Sequence, residues 1–119
     1  MSKLTDDKEL LELAAKAAGI EVRYQAGSHR FIYKRALPIL EGFFLAYWDP
    51  LTDDGAALRL AVKCKLTTCT DGEATVSSHE AYRGSQGVFI TQRVSECEDK
   101  YAAVRRAIVR AAAEIGKGM

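Results

Sequence analysis

WDPLTDDGAALRLAVKCKL, residues 48–66, decides the fold. Pro50 fixes its own φ and biases Asp49 towards an extended conformation, so no helix runs through Trp48-Asp49-Pro50. Thr52, Asp53 and Asp54 then offer side-chain oxygens to the free N–H groups of a helix start, and the two acids suit its positive dipole end. Beyond Gly55, residues Ala57, Leu60, Ala61 and Cys64 follow the i, i+3, i+4, i+7 rhythm of one buried face. Leu58 and Val62 widen that face, and Arg59 and Lys63 lie opposite it. The spacing predicts a helix over Asp53–Lys65 that hands the chain to a strand at Leu66.

The flanks supply the remaining layers. Upstream, Thr5 or Asp6 is placed to cap a first helix, with Glu9 three beyond Asp6 as in a capping box. Leu10, Ala14 and Ala17 form one line and Leu11, Ala15 and Ala18 the next. Gly19 is the expected left-handed terminator, with Ile20 folding back on the last turn. Residues 20–24 and 29–34 alternate as strands: Ile20, Val22 and Tyr24 share a face, and Phe31 and Tyr33 oppose Ile32. The Ala36–Gly42 segment, with Pro38 inside it, reads as a loop, and Phe43–Tyr47 as either a strand covered on both faces or a buried coil, between which periodicity does not decide. Downstream, Asp71-Gly72 between β-prone runs signals a two-residue hairpin that pairs Cys69 with Ala74 and Thr67 with Val76, leaving Thr68, Thr75 and Ser77 on the wetter side. Ala81–Arg83 extends the second arm, Gly84–Gly87 turns, and Val88–Arg93 completes an antiparallel meander. Ser95, with Glu98 three residues on, caps a last helix whose stripe is Tyr101, Val104, Ile108, Ala111 and Ile115, and which Gly116 ends. The expectation is α+β: three helices packed on both faces of a small antiparallel sheet, an α/β/α sandwich within a single domain.

DDGAALRLAVKCKL after an aromatic-x-Pro turn, together with YAAVRRAIVRAAAEIGKG at residues 101–118, resembles the phage ABA sandwich family of small bacteriophage and prophage proteins. The resemblance covers the central and last helices and, more loosely, the first. The sequence departs at Ala56, where the family pattern carries an acid able to pair with Arg59 three residues on. The resemblance implies an α/β sandwich in a phage setting. It implies no activity and supplies no catalytic residues.

Composition narrows the function classes. With 119 residues and 48% apolar content, the chain can bury a core without staples. A net charge of +1 gives no long-range field for nucleic acid. Three cysteines, Cys64, Cys69 and Cys97, cannot all pair within one chain, and their spacing is not a zinc pattern. That odd count, a charged N-terminus and no apolar run near bilayer length point to the cytoplasm, of a bacterial host if the resemblance holds, and away from membranes.

The candidate sites each have a plainer reading. Asp53 and Asp54 would suit a metal or an acid/base pair, but adjacent residues at a helix start diverge, and capping accounts for them better. Arg105, Arg106 and Arg110, joined by Arg59 and Lys63, would make a phosphate or nucleic-acid patch. A solvated helix face with a dipole-complementing end is the alternative. The cysteines with His29 and His79 show no ligand spacing. Trp48, Tyr82 and His79 are candidate partner or ligand contacts, with core packing the alternative for Trp48. No catalytic, metal or cofactor constellation emerges. The expectation is a non-enzymatic binding or regulatory module acting on an unidentified host or phage protein. Nucleic-acid binding through the last helix comes second, and a small hydrolase using Asp53, Asp54, His79 or a cysteine last. Homodimerisation is an option, because small side chains on an Ala-rich helix let backbones approach.

Overall fold

The computed structural model describes residues 3–27, 30–33, 37–39, 42–44, 47–78 and 89–118. Among the described residues there are three helices: α1 (Lys3–Ala18), α2 (Asp54–Lys63) and α3 (Lys100–Lys117). The strands are β1 (Val22–Gln25), β2 (Arg30–Tyr33), β3 (Leu37–Ile39), β4 (Gly42–Phe44), β5 (Tyr47–Trp48), β6 (Leu66–Cys69), β7 (Ala74–Ser78) and β8 (Phe89–Gln92). All pairings among the described residues are antiparallel. The fold is α+β, but its strands divide into two three-stranded sheets, β1-β2-β5 and β6-β7-β8, and a β3-β4 ribbon.

The centre of the molecule is α3 rather than the stretch around α2. Ala103, Ala107, Val109, Ala111, Ala112 and Ala113 have no exposed surface. They point to several sides of the helix at once, because α3 packs against α1, α2 and the β6-β7-β8 sheet together. Small side chains allow this. Gly116, expected to end the helix, lies inside it, and a Cβ there would clash with the Leu13 carbonyl group. The close helix approach that Ala-rich sequence permits is thus realised between α1 and α3 of the same chain.

The helix ends show which local signals prevailed. Gly19, at φ +69°, donates to Lys16 O while Ile20 donates to Ala15 O, the paired closure expected of a left-handed terminator. α1 starts before Thr5 and Asp6, so neither is its cap: both are tolerated in a first turn, where an acid favours the dipole. Asp53 caps α2, its Oδ1 accepting from Gly55 N at 3.0 Å. Thr52 does not cap; its hydroxyl is directed to Asp49 O. Ser95 is not the cap of α3 either. A 3-10 turn at Val94–Glu96 takes up Ser95, and Asp99 Oδ1 accepts from Ala102 N at 2.8 Å. An acid three residues before a free N–H makes the stronger, charge-assisted bond.

The hairpin register differs by one residue from the two-residue expectation. Cys69 pairs with Thr75 and Thr68 with Val76, as a three-residue loop over Asp71-Gly72-Glu73 gives. The slip turns Leu66 and Thr68 towards the helices and puts Thr67 and Cys69 outside. It gains because Leu66, not Thr67, joins buried Ala74 and Val76 on the apolar side. Within the expected Ala36–Gly42 loop, Leu37–Ile39 is strand β3, paired with β4 from Gly42, and Pro38 is tolerated in a two-stranded ribbon; residues 36, 40 and 41 lie outside the described residues. Of the expected Phe43–Tyr47 strand, Phe43 and Phe44 belong to β4 and Tyr47 to β5 of another sheet, and residues 45 and 46 lie outside the described residues. In the first sheet, Tyr24, Phe31 and Trp48 form a cross-strand row of edge-to-face rings, with centroids 5.2 and 6.5 Å apart.

Candidate functional site

The three arginines of α3 face inward to neighbouring elements and do not form a free patch. Arg105 Nε donates to Leu51 O at 2.8 Å and its Nη1 pairs with Asp54 Oδ1 at 2.6 Å, fastening α3 to the start of α2. Arg106 holds both oxygens of Asp7 on α1, at 3.1 to 3.3 Å. Arg110 Nη1 donates to Thr91 O and to Gln92 Oε1, at 3.2 and 2.8 Å, satisfying the buried Gln92. A guanidinium with several donors suits such ties. Arg59 and Lys63 remain exposed on α2. The five cations therefore do not act as one surface.

Asp53 and Asp54 likewise have separate partners, Gly55 N and Arg105, and do not converge. Among the described residues, no three His, Cys, Asp or Glu side chains gather as metal ligands. Trp48 is 1% exposed and belongs to the core, so it is not a surface contact. Tyr82 and His79, like His29 and the expected Ala81–Arg83 and Gly84–Gly87 features, lie outside the described residues. The thiols differ in setting: Cys64 is buried, Cys97 half-buried and Cys69 exposed. Burial pushes the Cys64 thiol pKa up, with Lys63 opposing more weakly.

The strongest surface feature involves residues that the sequence pattern assigns to the core. Leu58 and Val62 on α2 are 64% and 70% exposed, and Tyr101 on α3 is 71% exposed. All three border one open cleft of about 400 Å³ between α2 and α3, with Leu66 and Thr68 of β6 also lining it. The Asp54–Arg105 pair stands at one end, and the remaining lining is largely apolar. The local cause lies in α2, whose apolar positions from Ala56 to Cys64 span about 240° of the helix circumference at 100° per residue. One packing contact cannot cover so wide an arc. The side bearing Ala57, Leu60 and Ala61 is buried, and Leu58 and Val62 are left beside the cleft. A second hollow of about 270 Å³ lies between the starts of α1 and α3, reaching Asp7, Cys97, Arg105 and Arg106. Its lining mixes polar and apolar groups, and its two arginines are already paired.

The chain's likenesses add nothing to this geometry: no family model, no curated protein and no solved structure matches it. No helix among the described residues is long and apolar enough to cross a membrane.

Proposed function

We propose that the chain is a non-enzymatic binding module, of phage or prophage origin as the sequence resemblance implies, that holds a protein partner in the cleft between α2 and α3. One observation carries this reading: three large apolar side chains, Leu58, Val62 and Tyr101, are each more than half exposed around a single cleft. Scattered exposed apolar residues are ordinary, but a contiguous group lining a concavity marks a contact surface. Aromatic and aliphatic anchors ringed by a few charges are what protein interfaces use. The internal ties of Arg105, Arg106 and Arg110 support a protein partner over a nucleic acid.

The test is site-specific photo-crosslinking in bacterial cells, with the reactive group at Leu58 or Tyr101 and, as a control, at Glu12 on α1. The expected result is one discrete protein adduct from the cleft positions, lost when Val62→Asp is added, and none from the control. Equal labelling at all three positions would defeat the proposal. Retention on DNA at low salt that disappears in Arg59→Ala would move the function to the outer side of α2.

A further inference from the structure

We infer that the outer side of the β1-β2-β5 sheet binds single-stranded nucleic acid, with Arg23 and Arg30 meeting its phosphates and the Arg30–Tyr47 stack offering a plane to its bases. This surface shares no residue with the lining of the α2–α3 cleft and is a second site beside it.

The sheet register sorts the residues. Arg23 stands opposite Ile32, Ile32 opposite Tyr47, and Gln25 opposite Arg30. Alternation then puts Arg23, Gln25, Arg30, Ile32 and Tyr47 on one side, while Tyr24, Phe31 and Trp48 pack on the core from the other. Ile32 is enclosed, and the other four side chains of the outer side are exposed around it. Arg30 Cζ lies 4.8 Å from the centre of the Tyr47 ring. Neither Arg23 nor Arg30 has a carboxylate partner among the described residues, whereas Arg105 and Arg106 of α3 each hold one. Glu21 and Asp49 stand just beyond β1 and β5 and pair with neither arginine.

Charge is segregated along the sequence at the same place. Residues 22–40 contain four of the chain's 17 lysines and arginines and none of its 16 acids, so a net charge of +1 conceals a local excess. Two of those four, Lys34 and Arg35, lie outside the described residues. Screening over about 8 Å at physiological salt lets such an excess act where the total charge does not.

The chemistry of the pair selects the ligand. A π face, unlike a carboxylate, leaves the N–H donors of Arg30 available to an anion. A strand spacing of about 4.8 Å and a rise of about 3.4 Å per residue set the Arg23 and Arg30 backbones about 8 Å apart, within reach of neighbouring phosphates on one chain. An acidic peptide would satisfy the two guanidinium groups and leave the stacked plane unused. Unpaired bases stack on guanidinium and aromatic planes alike, and a duplex keeps its base faces covered.

Fluorescence anisotropy of the full chain with labelled oligothymidine, from low to physiological salt, tests this. Saturable binding that weakens as salt rises is expected. Arg23→Glu and Arg30→Glu are each expected to weaken it about tenfold, and Arg23→Ala to reduce the slope of log affinity against log salt by about 0.7, the share of one phosphate on a single strand. Tyr47→Ala is expected to weaken binding about tenfold with the slope unchanged, as loss of stacking requires. All three side chains are exposed, and far-UV circular dichroism checks that each variant folds. Arg59→Ala, on α2, is expected to bind like the wild type. No binding at low salt overturns the inference, as does wild-type affinity in both glutamate variants or loss of binding in Arg59→Ala. Equal or tighter binding of duplex DNA, polyglutamate or phosphatidylglycerol vesicles assigns the surface to another polyanion and overturns it too. Failure here leaves the cleft untouched, because a discrete Leu58 adduct with a protein does not depend on this sheet.

Discussion

Gly116 shows how little room a single position has. Its Cα faces the Leu13 backbone, so even a methyl group must push α1 and α3 apart. Gly116→Ala would remove the propensity cost of a helical glycine, about 1 kcal/mol, yet overpacking against backbone is expected to destabilise the chain by about 3 kcal/mol. Urea denaturation of the two proteins measures the difference. The cysteines make a second prediction at this scale. Cys69 is exposed and Cys64 is buried with a raised pKa, so a thiol reagent should modify Cys69 first and Cys64 only on unfolding. The sign for stability follows. A thiol that holds its proton more tightly when folded contributes fully below the ordinary thiol pKa, about 8.5. That contribution is lost as pH rises through the higher folded value. Stability of the wild type should therefore fall at alkaline pH more than that of Cys64→Ala, as thermal melts across that range would show.

At the scale of elements, the capping of α3 separates two readings of one segment. Ser95 and Glu98 have the spacing of a capping box, yet Asp99 makes the bond to Ala102 N. Asp99→Ala is expected to cost about 1 kcal/mol and Ser95→Ala close to nothing, measured as a shift in denaturation midpoint. The same segment shows what is legible locally. Caps and turns depend on neighbours in sequence, and Gly19 and Asp53 are read correctly from their surroundings. The β6–β7 register depends on which side α3 covers, and no residue near Asp71-Gly72 carries that information. The burial of α2 follows the same rule. Leu58 and Val62 fit an apolar pattern, but whether a pattern position is covered is decided by how many partners the helix finds. The excess width of the arc was the one sign available in the sequence.

For the whole molecule, the decisive fact is that α3 has neighbours on several sides. Hydrogen exchange should find the slowest amides in α3, at positions such as Ala107 to Ala112. Faster exchange is expected in β6, an edge strand with Thr67 to Cys69 exposed, because local opening there uncovers little apolar surface. Mass spectrometry of peptides after timed labelling would rank them. The α+β class and the three helices follow from composition and periodicity, which report how much apolar surface each segment must hide. Which helix lies at the centre does not follow. Ala-rich α3 reads locally as an amphipathic helix with one apolar stripe, and only the packing of its neighbours around it encloses its small side chains on several sides.

A consequence for synthesis follows from the partnership of α1 with α3. Once made, α1 finds its main partner α3 only after roughly eighty further residues have been added. Until then Leu11, Ala14, Ala15 and Ala18, and later the inner sides of both sheets, wait uncovered. Closure must come late and all at once, and an interruption before Lys100 would leave a nascent polypeptide with most of its length and none of its keystone.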